Sequence, residues 1–383
     1  MNNLRSQFLL RPDVAFLNHG SFGATPRPVF ERYQEWQREL ELEPVDFLGR
    51  RAPELLRQSR AALGQFLNAD PDDLVYTTNA TTGVNIVARS LQLGAGDEVL
   101  TTNHEYGACD NIWRFLSGKQ GFSYRAVPIP VPVATHAEFL ERFIAEITPQ
   151  TRAIFISHIT SPTALTFPIA ELCQAARQRG ILTIVDGAHA PGQIPLDLRA
   201  VDADFYTGNL HKWLCAPKGA AFLYARRGLQ ERLEPLVVSW GWNGSFSRGS
   251  QFLDYLEYGG TSDLSAPLSV PAAIEFFREN DWWRVVDNCH ELLLRARPEI
   301  AAALDAEPIA PDGEWFRQMS AFLLPEGMPG DILHARLFNE HRVEIPTFYW
   351  QGRWVIRIAL QGYNTWEDVE RLIAGVRDIR ATL

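Results

Sequence analysis

The sequence predicts an α/β protein with a mostly parallel sheet that is covered by helices. Short apolar runs alternate with amphipathic stretches up to about residue 225, as a parallel sheet with helical crossovers requires. From about Pro271 the pattern changes to a long helix, then strands and a final helix, which predicts a smaller second α/β domain. A chain of 383 residues that is 46% hydrophobic and 21% charged is long enough for a large core and two domains. We expect the first domain over residues 1–270 and the second over residues 271–383.

Seven short apolar runs are the candidate strands of the main sheet. They are Leu74–Thr77, Glu98–Thr101, Phe122–Val127, Ala153–Ser157, Leu182–Asp186, Asp204–Thr207 and Ala221–Ala225. The candidate helices of the same part are Glu54–Leu67, Thr81–Leu91, Tyr106–Leu116, Ala137–Ile147 and Ile169–Arg179. In the C-terminal part we expect strands near Met319–Leu324 and Val355–Ala359, and a helix over Trp366–Ile379. No Gly/Ser-rich linker separates the two parts, so they should pack closely.

Charge and cysteine content exclude several classes of protein. A formal net charge of −10 argues against a nucleic-acid-binding surface. No apolar stretch is long enough for a membrane span, and the N-terminus does not resemble a signal peptide, so we expect a cytoplasmic protein. Cys109, Cys173, Cys215 and Cys289 lie far apart, and their spacing predicts neither a metal site nor a disulfide framework.

Asp186 and Lys212 follow neighbouring apolar runs and suggest pyridoxal 5′-phosphate (PLP) chemistry. A lysine can form a Schiff base with the cofactor aldehyde, and a carboxylate can keep the pyridine nitrogen protonated so that the ring absorbs electrons. A lysine after a strand is by itself usually a solvated loop residue. Its neighbours Trp213 and Leu214 favour burial, which would lower the pKa of the amine as a nucleophile requires.

Several motifs resemble the class V aminotransferase family, whose members are fold-type I PLP enzymes. The family motifs are Val185–Ala190, His211–Trp213 and Ala216–Gly219. Within that family, the sequence resembles the isopenicillin N epimerase-like branch in the segments Phe16–Gly23, Asn103–Gly107, Ser161–Leu165 and Arg357–Thr365. The resemblance implies the fold-type I architecture, in which a large domain has a mostly parallel seven-stranded sheet between helices and a smaller α/β domain follows. It also implies PLP as the cofactor.

The turn Thr77–Gly83 is the candidate phosphate site, because a strand there gives way to a helix whose first amides are unpaired. An ordinary helix cap is the alternative. By the resemblance, the amide of Ala80 and the amide and hydroxyl of Thr81 hold the phosphate, and Asn209 and His211 complete the cup. Family members often carry Ser where Asn209 stands.

Contacts to the cofactor ring are also implied by the resemblance. Tyr106 falls where the family places its stacking residue, with His104 as a second candidate that could equally be a satisfied core histidine. His189 should approach the phenolic oxygen. Thr261, in the segment Gly259–Asp263, resembles a threonine that reaches the phosphate of the neighbouring subunit, which implies a homodimer; a simple polar loop is the alternative.

Arg357 is the candidate substrate handle because it lies on the apolar run Trp354–Leu360, where an unpaired guanidinium would be costly to bury. A bond to a substrate α-carboxylate and an internal salt bridge explain that position equally well. The resemblance implies the first, with Asn18 as its helper. Aromatic segments at 240–249 and 348–353 suggest a pocket for a long side chain, with Arg248 or Arg353 binding a distal carboxylate.

The implied reaction begins when Lys212 removes the α-proton of an amino acid and the cofactor ring stabilises the carbanion. An epimerase that acts on a substrate with a large side chain is the first hypothesis, with Tyr106 as the second acid. A carbon–sulfur lyase on a cysteine conjugate and an aminotransferase are the enzymatic alternatives. Persulfide-forming desulfurase chemistry is disfavoured because residues 329–357 contain no cysteine. A cofactor-less homologue is disfavoured by the presence of both Asp186 and Lys212.

Overall fold

The computed structural model describes residues 4–243, 249–311 and 313–382. The suggested role of Arg248 therefore lies outside the described residues. The strands are β1 Ala15–Phe16, β2 Leu74–Thr77, β3 Glu98–Thr102, β4 Ser123–Val127, β5 Thr151–Ser157, β6 Leu182–Asp186, β7 Phe205–Asn209, β8 Ala221–Ala225, β9 Glu307–Pro308, β10 Met319–Leu323, β11 Val343–Glu344, β12 Thr347–Trp350 and β13 Arg353–Ala359. The helices are α1 His19–Phe22, α2 Arg27–Leu42, α3 Pro44–Asp46, α4 Ala52–Leu67, α5 Ala80–Ser90, α6 Gly107–Gln120, α7 His136–Ala145, α8 Ile169–Arg177, α9 Leu198–Val201, α10 Gln251–Glu257, α11 Ser265–Leu268, α12 Val270–Glu279, α13 Trp282–Leu304, α14 Gly330–His341 and α15 Trp366–Arg380.

The main sheet has seven strands in the order β2-β8-β7-β6-β5-β3-β4, which confirms the predicted architecture. Strands β7, β6, β5, β3 and β4 pair in parallel, whereas β8 runs antiparallel to both of its neighbours. Parallel strands end at the same edge of a sheet. Asp186 at the end of β6 and Asn209 at the end of β7 are therefore close to each other at that edge.

Both faces of the central strands are buried, and their sequences are accordingly mostly apolar, whereas the edge strand β4 is partly exposed. Successive side chains point to opposite faces. Ile154 and Val185 belong to a core cluster on one face, and Phe155 and Ile184 belong to a cluster on the other. The strands read as continuous apolar runs for this reason.

The C-terminal part has an antiparallel sheet in the order β12-β13-β10-β9, and β13 carries Arg357 opposite Ala321 of β10. The N-terminal strand β1 pairs with β11 of this part. The predicted domain boundary falls at the first turn of α12 and stays a prediction.

The long helix predicted from about Pro271 is in fact two helices, α12 and α13. Between them Asp281 adopts a left-handed conformation with φ of 46°, which an α-helix does not tolerate. The sequence reading also did not predict α2, α14 and β12. Among the described residues, no helix combines the length and apolarity that crossing a membrane requires.

Candidate active site

A cavity of about 490 Å³ lies at the carboxyl ends of the parallel strands. Most of the predicted site residues line it, namely Ala80, Thr81, Tyr106, Asp186, His189, Asn209, His211, Lys212 and Arg357. The turn after β2, the loops after β6 and β7, and strand β13 bring these residues together. Asn18, His104 and Thr261 do not line this cavity.

Lys212 is held beside a neutral histidine. Its Nζ lies 3.1 Å from Nε2 of His189, and the indole nitrogen of Trp213 donates to Nδ1 of His189 at 3.2 Å. Burial holds the pKa of His189 well below its usual value, so the ring is neutral and its proton resides on Nε2. Burial, assisted by the positive charge of Arg357, lowers the pKa of Lys212 from 10.5 to about 8. The amine can therefore be neutral near physiological pH.

Asp186 is a buried carboxylate with few direct contacts. Its side chain accepts the amide of Ala188 at 2.9 Å and receives a weak thiol contact from Cys109 at 3.5 Å. No Lys, Arg or His of the described residues forms a salt bridge with it. Burial raises its pKa above the usual 3.8, against the opposite effects of the Ala188 amide and of the positive charge of Lys212. A charged N–H group of a ligand would supply the partner that is missing here.

The start of α5 offers donors to an anion. Asn79 caps the helix by accepting the amide of Thr82 at 2.8 Å, whereas the amide of Thr81 has no acceptor among the described residues. The amide of Ala80 instead donates to Oδ1 of Asn209 at 2.8 Å. The predicted phosphate ligands Ala80 and Asn209 thus bind each other, and Thr81 carries the free amide.

His211 follows Asn209 in the same loop. Its ring Nδ1 lies 3.3 Å from the carbonyl oxygen of Ala220, and burial lowers its pKa to about 4. A neutral imidazole that donates Nδ1–H to this carbonyl has an unprotonated Nε2, so His211 can donate to a phosphate oxygen only if it gains a proton or gives up the bond to Ala220.

Arg357 is 1% exposed, and its hydrogen bonds go only to neutral oxygens. One terminal nitrogen donates to the carbonyl and the hydroxyl of Ser161, and the other lies 3.3 Å from the hydroxyl of Ser21. No carboxylate of the described residues forms an ion pair with it, and its Nε has no partner. An internal salt bridge is therefore excluded within the part of the chain that the structure describes. Burial lowers the pKa of this guanidinium from 12.5 to about 10.

Asn18 lies behind this cavity. Its amide nitrogen donates to Glu344 at 2.9 Å, and its oxygen accepts the hydroxyl of Ser21 at 2.5 Å. Ser21 thus connects Asn18 to Arg357, and Asn18 makes no direct contact with the guanidinium.

Tyr106 and His104 have different environments. Tyr106 is 44% exposed in the wall of the cavity. His104 is fully buried, with Nδ1 at 2.9 Å from the hydroxyl of Thr163 and Nε2 at 2.9 Å from the carbonyl of Ile129. Because both ring nitrogens are used, His104 is a satisfied core histidine.

Thr261 is exposed and lies in a second cavity of about 370 Å³. Thr78 and Gly219 line both cavities, so Thr261 is next to the phosphate turn but outside the Lys212 cavity of its own chain. Arg353 is also remote, since it donates to the carbonyl of Leu324 at 2.7 Å and does not line the Lys212 cavity.

Several lining residues were missed by the sequence analysis. Ser21 and Ser161 contact Arg357, and Lys218 donates to the carbonyl of Gly23 at 3.1 Å. Their only signal was membership of motifs that resemble the family, because a lone Ser carries no chemical pattern of its own. Phe348, from the aromatic segment 348–353 that was expected to line a pocket, does line this cavity, and its ring lies next to the guanidinium of Arg357.

Comparisons with known proteins identify the family of the chain. The family model described as "Aminotransferase class-V" matches residues 23–372. The chain belongs to the class-V aminotransferase family. It is 38% identical to isopenicillin N epimerases of Amycolatopsis lactamdurans and Streptomyces clavuligerus, over 98% and 96% of this chain and 98% and 95% of theirs. It is 27% identical to an L-cysteine desulfhydrase of Arabidopsis thaliana, over 96% of this chain and 88% of that protein.

A solved structure of a C-DES mutant with glycine covalently linked to its PLP cofactor has the same fold. Its TM-score is 0.83 at 22% identity, and the match covers 98% of this chain and 99% of that chain. The fold is thus that of fold-type I PLP enzymes, and the family assignment makes this class-V protein a PLP-dependent enzyme. The unpaired carboxylate of Asp186, the free amide of Thr81 and the depressed pKa of Lys212 fit the pyridine nitrogen, the phosphate and the aldehyde of that cofactor.

Proposed function

We propose that the protein is an amino-acid epimerase that removes and returns the α-proton of its substrate. One observation carries the proposal: the cavity of Lys212 contains a buried cation, Arg357, and a buried anion, Asp186, neither of which forms a salt bridge with any described residue. Buried charges are normally paired. A cofactor with a cationic ring and a substrate with an α-carboxylate would supply both partners.

The side chains of this cavity have separate tasks in the proposal. PLP, when bound, supplies a ring that stabilises negative charge at the α-carbon. Asp186 holds the proton of the ring nitrogen, and Arg357 orients the α-carboxylate through its two terminal nitrogens. Lys212, whose pKa is about 8, takes the α-proton, and Nε2–H of His189 at 3.1 Å orients the amine.

Epimerisation also needs a second group that protonates the opposite side of the α-carbon. Tyr106 is the candidate, because its phenol lies in the cavity wall and makes no hydrogen bond to any described residue. His104 cannot serve, since both of its ring nitrogens are bonded in the core. The 38% identity to two isopenicillin N epimerases supports the same reaction class.

A carbon–sulfur lyase is the second candidate, and the L-cysteine desulfhydrase relative favours it over an aminotransferase. A persulfide mechanism has no support here. All four cysteines are buried, and burial raises the pKa of each thiol, so none is placed to accept sulfur. The lyase reaction would instead release its sulfur product directly.

We also propose that the enzyme works as a homodimer in which Thr261 reaches the phosphate site of the other subunit. Thr261 is exposed beside apolar side chains of its own chain, including Val45 and Trp240, which are 68% and 61% exposed. Burial of that surface against a second copy would place Thr261 inside an interface.

The dimer is tested with mixed subunits. Lys212→Ala and Thr261→Ala chains, each weak alone, are unfolded together, refolded with PLP and assayed. If Thr261 serves the other subunit, the mixed dimer contains one intact site and recovers activity. Activity no greater than the sum of the two parents contradicts the arrangement.

The reaction is tested in deuterium oxide with the PLP-loaded enzyme and a panel of L- and D-amino acids and cysteine conjugates. Chiral chromatography, α-deuterium content, pyruvate and sulfide are measured together. The proposal predicts that wild type inverts its substrate with deuterium uptake and releases no pyruvate. Lys212→Ala should lose both inversion and deuterium uptake, and Tyr106→Phe should lose inversion. Pyruvate and sulfide release would establish the lyase instead, and inversion that survives Tyr106→Phe would remove Tyr106 from the mechanism.

A further inference from the structure

His19 contacts the backbone of Lys212 and does not itself line the cavity. It is fully buried, its Nε2 lies 2.9 Å from the backbone oxygen of Lys212, and its Nδ1 lies 2.9 Å from the hydroxyl of Tyr363. Its ring also packs on the indole of Trp213, with ring centroids 4.9 Å apart. None of the roles given above uses this histidine.

The hydrogen bonds fix the protonation of His19. A backbone carbonyl can only accept, so Nε2 must carry a proton, and burial lowers the pKa of the ring to about 3, which keeps it neutral. Nδ1 is then an acceptor and takes the proton of the Tyr363 hydroxyl. The direction of both bonds follows from the acceptor character of the Lys212 carbonyl.

The turn that contains His19 packs directly on the lysine loop. Gly23 has φ of +68°, and a Cβ there would lie 2.0 Å from the backbone oxygen of His211. Lys218 donates to the carbonyl of Gly23, and Thr25 donates to the carbonyl of Ala216 at 3.2 Å. The N-terminal turn and the loop that carries Lys212 are therefore joined at several points.

The same turn contacts the arginine on the other side of the cavity. Ser21, two residues after His19, places its hydroxyl 3.3 Å from a terminal nitrogen of Arg357. A Cβ on Gly20 would lie 3.3 Å from the same nitrogen. One short turn thus touches both the backbone of Lys212 and the group proposed to hold the substrate carboxylate.

We propose that His19 is a positioning residue for Lys212. It holds the Lys212 carbonyl to the turn that carries Ser21, and Ser21 contacts Arg357. His19 thereby fixes the lysine amine relative to the α-carbon of a substrate whose carboxylate is bound by Arg357. It acts through Lys212 and does not itself touch substrate or cofactor. The inference rests on Lys212 as the cofactor-binding and proton-transferring lysine, and holds for an epimerase or a lyase alike.

Two substitutions separate the two bonds of His19. The amide nitrogen of Gln can take the place of Nε2 and donate to the Lys212 carbonyl, whereas the shorter Asn can replace only Nδ1 and its bond to Tyr363. His19→Gln should therefore retain most of the activity. His19→Asn should lower kcat per PLP-loaded site by about 10- to 100-fold, as expected for a misplaced catalytic group, with little change in KM.

The decisive readout uses no substrate. The visible absorbance of the lysine-bound cofactor is titrated against pH in wild type, His19→Gln and His19→Asn, and melting temperatures are measured in parallel. The inference predicts a shifted spectral pKa in His19→Asn and not in His19→Gln. Equal spectra and equal kcat values for the two variants would overturn it, as would a loss of activity in His19→Asn that follows its melting temperature with no spectral shift.

Tyr363→Phe keeps the inference testable if His19→Asn does not fold. It removes only the hydroxyl that fixes Nδ1, and should give a smaller spectral shift in the same direction. Tyr76→Phe is the matched control, because it removes a hydroxyl that bonds Ser59 at 2.7 Å, outside the Lys212 cavity. A Tyr363→Phe spectrum identical to that of Tyr76→Phe contradicts the role of His19. Failure of the epimerase proposal would instead show as pyruvate release by wild type, which leaves these spectra unaffected.

Discussion

Arg60 and Arg357 are both almost fully buried, at 3% and 1% exposed, but in different surroundings. Arg60, on α4, forms an ion pair with Glu257 of α10, whose side chain is 1% exposed, and also donates to the carbonyl of Pro71. Arg357 has neutral oxygens and the ring of Phe348 around it.

The difference distinguishes a charge that serves the fold from a charge that serves a ligand. Moving a charge from water into the protein interior costs free energy. A partner of opposite charge in the same chain offsets that cost in the folded protein without any ligand. At Arg60 the compensation is present within the chain. At Arg357 it is incomplete, so we infer that a substrate carboxylate completes it.

Arg60→Met should cause the largest change in stability. It leaves the Glu257 carboxylate buried without its guanidinium partner, and we expect the free energy of unfolding to fall by about 3–5 kcal/mol. Urea unfolding measures this change. Activity per folded, PLP-loaded molecule should stay at the wild-type level, and Arg60→Met combined with Glu257→Leu should recover much of the lost stability. A selective loss of activity would break the distinction.

Arg357→Met should have the opposite profile. We expect the loss of charged hydrogen bonds to the carboxylate to cost about 2–5 kcal/mol of binding to substrate and transition state. That is roughly thirtyfold to several-thousandfold in kcat/KM. The free energy of unfolding should stay equal or rise, because an unpaired buried charge is removed. Destabilisation as large as that of Arg60→Met would mean that Arg357 serves the fold.

Lys212 should make the stability of the apoprotein depend on pH. Its pKa is about 8 in the folded chain and 10.5 in an ordinary lysine, so the unfolded state binds more protons between these values. The free energy of unfolding therefore rises with pH across that window. Below about pH 8 the lysine is charged in both states, so the full free-energy cost of burying its charge is present. The stability difference between Lys212→Met and wild-type apoprotein should shrink from pH 8 to pH 10.5. A difference that is constant with pH would show that the lysine titrates normally.

Ser21→Ala should have the smallest effect. It removes one long hydrogen bond, 3.3 Å, from the charged guanidinium of Arg357 to a neutral hydroxyl. Such a bond is worth about 1.5 kcal/mol, the weak end for bonds to charged groups, or roughly twelvefold in kcat/KM. Steady-state kinetics on the same substrate measure it. Ser6→Ala, outside the cavity, is the control, and an effect of Ser21→Ala as large as that of Arg357→Met would show that Ser21 itself holds the substrate.

The sequence predicted the main sheet well because most of its strands are buried on both faces and appear in the sequence as short apolar runs. It did not reveal the break between α12 and α13. An aspartate such as Asp281 can also occupy an exposed position of a continuous helix, so its left-handed conformation is not visible in the sequence. The short edge strand β12 was missed because its side chains are only partly buried.

The candidate site was predictable where a residue's position beside an apolar run and its neighbours in sequence together pointed to one chemistry. Asp186 and Lys212 were predicted in this way, and the cavity brings them together with Arg357. Sequence could not decide between a salt bridge and a carboxylate site for Arg357, because that choice depends on which side chains are near it in space. The same holds for Asn18, whose partner Glu344 is 326 residues away along the chain.

The most direct test of the unpaired-charge account compares an amino acid with the matching amine that lacks the carboxylate. Each is titrated into the PLP-loaded enzyme while the visible spectrum of the bound cofactor is recorded. We expect the amino acid to change the spectrum of wild type at a far lower concentration than the amine, and Arg357→Met to lose that preference. If wild type needs the same concentration of both compounds for the same spectral change, Arg357 does not bind the carboxylate, and the account is contradicted.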